Sequence, residues 1–204
     1  MRIPLSHRIA IAESVTGTAP VVLRGVVEED LAPLRSALKK NAEHLAPWTP
    51  AVRGPMPWTL VEAARTVARH RAEWEEDRGY ALFAFAGTTI VGKVALSHVV
   101  RGAMEGAYLG YWVAGDAQGR GLATALVAAA VRFAFATAGL HRVQAAVMPR
   151  NLGSLRVLAK NGFREEGLAL RYLQIAGRWE DHTIFARTVE DDGDSHLSPD
   201  RRTR

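Results

Sequence analysis

The sequence predicts an α+β fold, a mixed and largely antiparallel sheet with helices packed against it. Three observations carry this. Short apolar runs recur at 21–26, 80–85, 90–100, 108–113 and 142–147, the first rich in β-branched residues and the last alternating. Long stretches of helical periodicity separate them at 60–77 and 121–138. The central strands form a meander, whereas 108–113 and 142–147 are joined through a helix, a crossover that makes those two strands parallel.

The elements follow in order. Ile9 and Ile11 suit an edge strand within an N-terminal extension, 1–20, whose last five residues (TGTAP) read as a turn. After the strand at 21–26, Asp30 is placed to cap a helix at 31–40, with Pro33 near its start, where proline is tolerated. Pro47, Pro50, Pro55 and Pro57 make 46–58 a loop. In the helix at 60–77, Val61, Ala64, Val67, Ala68 and Trp74 fall close to one face, and Gly79 ends it. The runs at 80–85 and 90–100 form a hairpin turning at Gly87. In 121–138, Leu122, Leu126, Ala129 and Phe133 recur at i, i+4, i+7 and i+11, and Gly139 is the expected C-cap. Val143, Ala145 and Val147 alternate as a strand, 151–161 is a short helix closed by Gly162, and 168–175 with 179–187 form a last hairpin around Gly177. One domain at 21–189 results. The final residues, 190–204, lack periodicity and read as a disordered charged tail.

Composition narrows the function. With 48% apolar and 23% charged residues, the chain has an ordinary globular balance. No uncharged apolar run approaches the ~18 residues of a membrane span, since the longest stops at Arg132. The apolar core at 9–12 is too short for a secretory signal. The absence of cysteine excludes disulfides, a cysteine nucleophile and thiolate metal sites, and fits a reducing compartment such as the cytoplasm. Seven histidines show no metal-ligand spacing, so no metal is expected. The formal charge is +5, and because the tail is net acidic the body is more positive than the whole. A basic body points to an anionic partner (nucleic acid, anionic lipid or a phosphorylated small molecule) or to nothing beyond a soluble surface.

The chemistry concentrates in two segments. From 108 to 123 a strand passes through a small-residue loop into a helix, with Gly119 and Gly121 at the turn. A helix N-terminus stripped of bulky side chains can hold a phosphate on its unpaired N–H groups. A P-loop is excluded, because its Lys and Ser/Thr are missing. A dinucleotide fingerprint is disfavoured by Thr124 in place of the third glycine, and by a following strand without a carboxylate for a ribose. The third reading is Q-x-x-G-x-A, from Gln118 through Gly119, Arg120, Gly121 and Leu122 to Ala123. One strand later, Asn151 and Ser154 stand three apart and share one side of a helix's first turn, as a cap or as a site. The two segments together point to a site.

The Q-x-x-G-x-A loop resembles the acetyl-CoA pyrophosphate loop of the Gcn5-related N-acetyltransferase (GNAT) superfamily. The resemblance to RimJ-type ribosomal-protein-alanine N-acetyltransferases extends over roughly 21–187. It rests on HVVRG at 98–102, AYLGY at 107–111, HR at 141–142, MPRN at 148–151, the helix at 154–163, EG at 166–167, YL at 172–173 and GRWEDH at 177–182. NAEHLAPWTP at 41–50 is similar to the substrate-side loop of these enzymes. The resemblance implies the GNAT fold, a strongly twisted sheet with helices on both faces, in which the parallel strands 108–113 and 142–147 splay apart. Acetyl-CoA would lie in the wedge, its pyrophosphate on the backbone N–H groups of 118–123 and its pantetheine paired with the strand at Trp112 and Val113. A backbone N–H near Trp112 would steady the oxyanion. Asn151 would touch pantetheine or substrate, and Ser154 would protonate the departing thiolate. Lys160 is a contact for a CoA phosphate or simply a solvated lysine.

Some relatives carry a basic carboxylate on the strand that follows the Glu-Gly pair, but 168–175 contains none. The candidates for general base are Glu105, His98, Tyr108 and a relayed water. Each residue also has a structural reading, as a solvated turn carboxylate, a strand histidine and a packing ring. His141 is expected to cap helix carbonyls, and Asp181 with His182 to support the last hairpin. An α-amine, with a pKa of about 7.7–8.0, is roughly a tenth to a third neutral near neutral pH, whereas a lysine of about 10.4 is neutral only to about one part in a thousand. Weak base machinery therefore suits an α-amine better than a lysine. The acceptor implied is a protein N-terminus, that of a ribosomal protein or similar, with ribosome association a possible accompaniment and no membrane involved. A small amine (antibiotic, polyamine or amino-acid derivative) is the alternative acceptor, a ribosome- or RNA-associated binding protein is the rival of another class, and monomer and homodimer both stay open.

Overall fold

A computed structural model describes residues 3–11, 20–50 and 59–192. Its strands are β1 (Arg8–Ile11), β2 (Val21–Arg24), β3 (Gly79–Ala86), β4 (Thr89–Val100), β5 (Gly106–Val113), β6 (Arg142–Val147), β7 (Arg164–Ile175) and β8 (Arg178–Thr188). The helices are α1 (Leu31–Lys40), α2 (Ala42–Leu45), α3 (Leu60–Glu75), α4 (Leu122–Arg132) and α5 (Leu152–Lys160). The strands form a single sheet in the order β1-β2-β3-β4-β5-β6-β8-β7. Only β5 and β6 run parallel among these neighbours.

β3 lies near the middle and is buried on both faces, which explains its unbroken apolar run, GYALFAFA. Tyr80, Leu82 and Ala84 pack into a core shared with Leu126, Val127 and Ala130 of α4. Ala81, Phe83 and Phe85 pack into a second core with Leu34 and Ala37 of α1 and Ala63 and Val67 of α3. Helices therefore cover both faces, and each fully buried Leu or Phe contributes about 1.5–3 kcal/mol.

Several local expectations shift. Thr59 caps α3 reciprocally with Glu62, Thr59 N–H donating to Glu62 Oε2 at 2.8 Å and Glu62 N–H to Thr59 Oγ1 at 3.2 Å. The buried stripe of α3 is Ala63, Val67, His70 and Trp74, whereas Val61 is 60% exposed and Ala64 and Ala68 face outward. The apolar count went astray because a buried histidine occupies one position of the stripe. Asp30 does not cap α1 with its side chain. It closes a 3₁₀ turn at Glu28–Asp30, where its carboxylate accepts from Arg24 at 2.6 and 2.8 Å and from Val27 N–H at 3.0 Å. Burial raises that carboxyl, but the Arg24 and Val27 hydrogen bonds outweigh burial and hold it below the usual range.

The helix expected at 121–138 is α4 followed by a π-helical turn, Phe133–Thr137, closed by Ala138 N–H donating to Phe133 O at 2.8 Å. At this turn Phe133 packs among Trp74, Tyr80 and His7. Residues 190–192, expected in the tail, instead belong to a 3₁₀ turn, Val189–Asp192. Asp191 accepts there from Thr188 N–H at 2.7 Å and pairs with Arg164. The rest of the expected tail, most of the 16–20 turn, and Pro55 and Pro57 lie outside the described residues.

Candidate active site

The sheet opens between its parallel strands. β5 and β6 stay in register only at Gly106–Arg142, Ala107–Val143 and Tyr108–Gln144. Beyond Tyr108, β5 remains paired with β4 up to Val113, and β6 remains paired with β8 over its whole length. Each half-sheet is thus intact and the gap lies between them.

Strand alternation decides which backbone groups face the gap. Ala114 N–H donates to Val91 O at 2.9 Å, so 114 and 91 form a hydrogen-bonded pair. Such pairs alternate along an antiparallel ladder. Trp112, opposite Lys93, is therefore also bonded to β4, and the backbone of Tyr111 and Val113 points toward β6. The backbone N–H expected near Trp112 is accordingly that of a neighbour, since Trp112's own amide is engaged in the sheet.

The loop after β5 is shaped by two left-handed glycines, Gly119 (φ +75°) and Gly121 (φ +81°), the latter at the N-cap of α4. The helix's first return bond is Ala125 N–H to Gly121 O at 3.1 Å. The N–H groups of Leu122, Ala123 and Thr124 therefore have no partner within the helix, and these residues line a cleft of about 610 Å³ with Gln118, Gly119 and Gly121. Arg120 is exposed and does not line it. Asn41, buried at the end of α1, fixes the loop from behind. Its Nδ2 donates to Ala37 O at 2.8 Å and its Oδ1 accepts from Gly115 N–H at 2.9 Å. Gln118 Nε2 meets His44 Nε2 at 3.1 Å.

On the facing wall Asn151 caps α5, its Oδ1 accepting from Ser154 N–H at 3.1 Å. Ser154 Oγ is 2.7 Å from the hydroxyl of Tyr111, a residue the sequence reading did not single out. Burial pushes the Tyr111 phenol up to about 12, the Ser154 bond pulling the other way, so it stays neutral. All three residues line the cleft, as does Lys160. Trp48, Thr49 and Pro50 line it as well. Arg150 lies over the Trp48 ring and donates to Glu180 at 3.0 Å, and Pro50 bridges to Ile175 of β7.

Glu105, a candidate base, is not brought to this cleft. It sits at the start of β5, where its carboxylate accepts from Gly102 N–H at 3.0 Å and from Arg101 at 3.1 Å, and its carbonyl accepts from His141 and Arg142 N–H. His98 (φ +51°) lies at an irregularity of β4 with its ring edge-on to Tyr108, and neither lines the cleft. His141 does not cap helix carbonyls, because its Nε2 meets Glu190 at 2.9 Å. Asp181 accepts from Arg171 N–H at 2.7 Å, and buried His182 meets Glu180 O at 3.0 Å through Nδ1, both within the last hairpin. Among the described residues no group of three or more His, Asp or Glu is placed to hold a metal ion, and no helix is long and apolar enough to cross a membrane.

A mixed sheet parted at its parallel pair, with a glycine turn and helix N-terminus at the gap, is the acyltransferase arrangement that the sequence resemblance implied. The chain belongs to the GNAT acetyltransferase family, whose acetyltransferase (GNAT) domain matches residues 21–164. It is 34% identical over 179 residues to the [ribosomal protein uS5]-alanine N-acetyltransferase of Escherichia coli, covering 85% of this chain and 90% of that protein. It is 40% identical over 127 residues to the probable N-acetyltransferase YjcK of Bacillus subtilis, covering 62% of this chain and 70% of that protein. Among solved structures, Mycobacterium smegmatis RimJ in complex with CoA-disulfide superposes with a TM-score of 0.80 at 36% identity, covering 85% of this chain and 84% of that one.

Proposed function

We propose that this acetyltransferase moves acetyl from acetyl-CoA to the N-terminal α-amine of a protein, a ribosomal protein being the leading candidate. The observation that carries the reading is the cleft, which is lined by three helix amides without a partner in their helix, by the edge of β5 that leaves β6 beyond Tyr108, and by a held serine hydroxyl. The amides at 118–123 suit the pyrophosphate. Tyr111 and Val113 offer the pantetheine a strand edge, and the Val113 N–H suits the oxyanion. The Ser154 hydroxyl, held by the Tyr111 hydroxyl, is positioned to protonate the leaving thiolate. Asn151 acts on this path by holding the first turn of α5 and with it Ser154.

The charged side chains that line the cleft include Lys93, Arg156 and Lys160, all cationic types. Among the described residues that line it there is no carboxylate of the kind that would pair with a polyamine or another multiply cationic small amine. A chain terminus needs no such pocket, and the uS5-alanine enzyme's name supports a protein acceptor here as well. Turnover of acetyl-CoA should be compared on an alanine-terminated peptide, on its N-blocked version carrying one lysine, and on spermidine. Fastest turnover is expected on the free terminus, and faster turnover of the blocked peptide or of spermidine would overturn the assignment.

A further inference from the structure

A chain of polar side chains runs from the wall of the cleft to α3. Lys93, on β4 opposite Trp112, lines the cleft with Gly110 and Trp112. Its Nζ lies 3.2 Å from Nε2 of His70, and His70 Nδ1 lies 3.2 Å from Glu73 Oε2. Glu73 thereby sets the tautomer: Nδ1 carries the proton and Nε2 accepts from the lysine. His70 is 8% exposed, with its ring against Phe83, so the three groups are held by packing as well as by hydrogen bonds.

We propose, on the strength of the acetyl-transfer reading, that Lys93 is the proton acceptor for the attacking amine and that His70 and Glu73 are its positioning residues. Strand alternation supports the placement. Lys93 and Trp112 share one face of the sheet, whereas Tyr111, which holds Ser154, lies on the other. The amine and the leaving sulfur are thus served from opposite sides. As the amine nitrogen bonds to the thioester carbon and the C–S bond breaks, an N–H proton passes to neutral Lys93, which later releases it to solvent through the cleft.

The electrostatics are suited to this. Burial first, then the positive charge of Arg69, lowers Lys93 to about 8, against an upward pull from Glu73. Burial, then Lys93 and Arg69, lowers His70 to about 3, so it stays neutral and does not itself carry the proton. The groups facing Lys93 are Arg69, His70 and Glu73 from α3 and the uncharged rings of Phe83 and Trp112 from the sheet, and His44 is another titratable group that lines the cleft. A base of about 8 matches an α-amine of about 7.7–8.0.

The test is a pH–rate profile with a free-amino-terminus peptide at saturating acetyl-CoA. The acid limb of log kcat/KM should have a slope of about 2 in the wild type, one proton from the α-amine and one from Lys93. Lys93→Met and Lys93→Arg should lower kcat about 10²–10⁴-fold, reduce that slope to about 1, and leave acetyl-CoA affinity in place. His70→Gln should displace the enzyme's limb, a shift that a purely structural role would not produce. A slope still near 2 in both Lys93 variants, or kcat preserved in either, overturns the assignment. Wild-type turnover combined with unaffected Lys93 variants sinks only the lysine, whereas no amine turnover by the wild type overturns the function as well.

Discussion

Ser154 and Tyr111 make the sharpest case at the scale of single residues. Their oxygens are 2.7 Å apart, and Tyr111 keeps its proton because burial pushes it up to about 12. Ser154→Ala should lower kcat about 10²-fold or more while acetyl-CoA affinity changes little. Tyr111→Phe should lower it less, because the serine remains and only its partner is lost. Steady-state kinetics with calorimetric binding checks both, and a large affinity loss with kcat intact would contradict the role. The two residues were not equally legible in the sequence. Ser154 stands three positions from Asn151, and local helix spacing brings that pair together. Tyr111 meets Ser154 across 43 residues, and Lys93 meets His70 across 23, contacts set by sheet register and helix packing that no short motif encodes.

Elements were easiest to read where two signals agreed. β3 has an unbroken apolar run and β4 a β-branched one on either side of a glycine turn, and α4 has both its stripe and the left-handed Gly139 after it. α3 was placed correctly but turned about its axis, because its buried stripe includes His70, which an apolar count passes over. The tether between α1 and the glycine loop was not legible at all, since Asn41 looks like an ordinary helix-end residue. Yet its amide joins Ala37 O to Gly115 N–H, and so fixes where the loop before α4 begins. Asn41→Ala should cost about 0.5–1.5 kcal/mol, because Gly115 N–H loses its side-chain acceptor while Ala37 O still accepts from the backbone N–H of residue 41. Thermal unfolding should show that loss, and acetyl-CoA should bind more weakly because Gly115 to Gly121 loses its support. A variant with unchanged melting temperature and affinity would remove Asn41 from the site.

At the scale of the molecule, the order of elements gave a mixed sheet with 108–113 and 142–147 parallel, because a helix lies between them. How early those strands part was not written locally, since it follows from β6 pairing throughout with β8 while β5 stays with β4. Three register pairs therefore join the half-sheets directly, aided by packing between α4 and α5. A ligand lying along β5 with its far side against α5 would add contacts to both halves. If CoA does so, a concentration of about 100 Kd should stabilise the folded state by about 2.7 kcal/mol. For a domain of this size that corresponds to a rise in Tm of about 5–11 °C. Hydrogen exchange should then slow at Tyr111 and Val113, whose backbone faces the gap, and also along β6 and β8. Protection confined to the first turn of α4 would mean that the ligand grips the phosphate loop without bridging the halves, and a Tm unmoved by saturating CoA would remove the cleft's assignment.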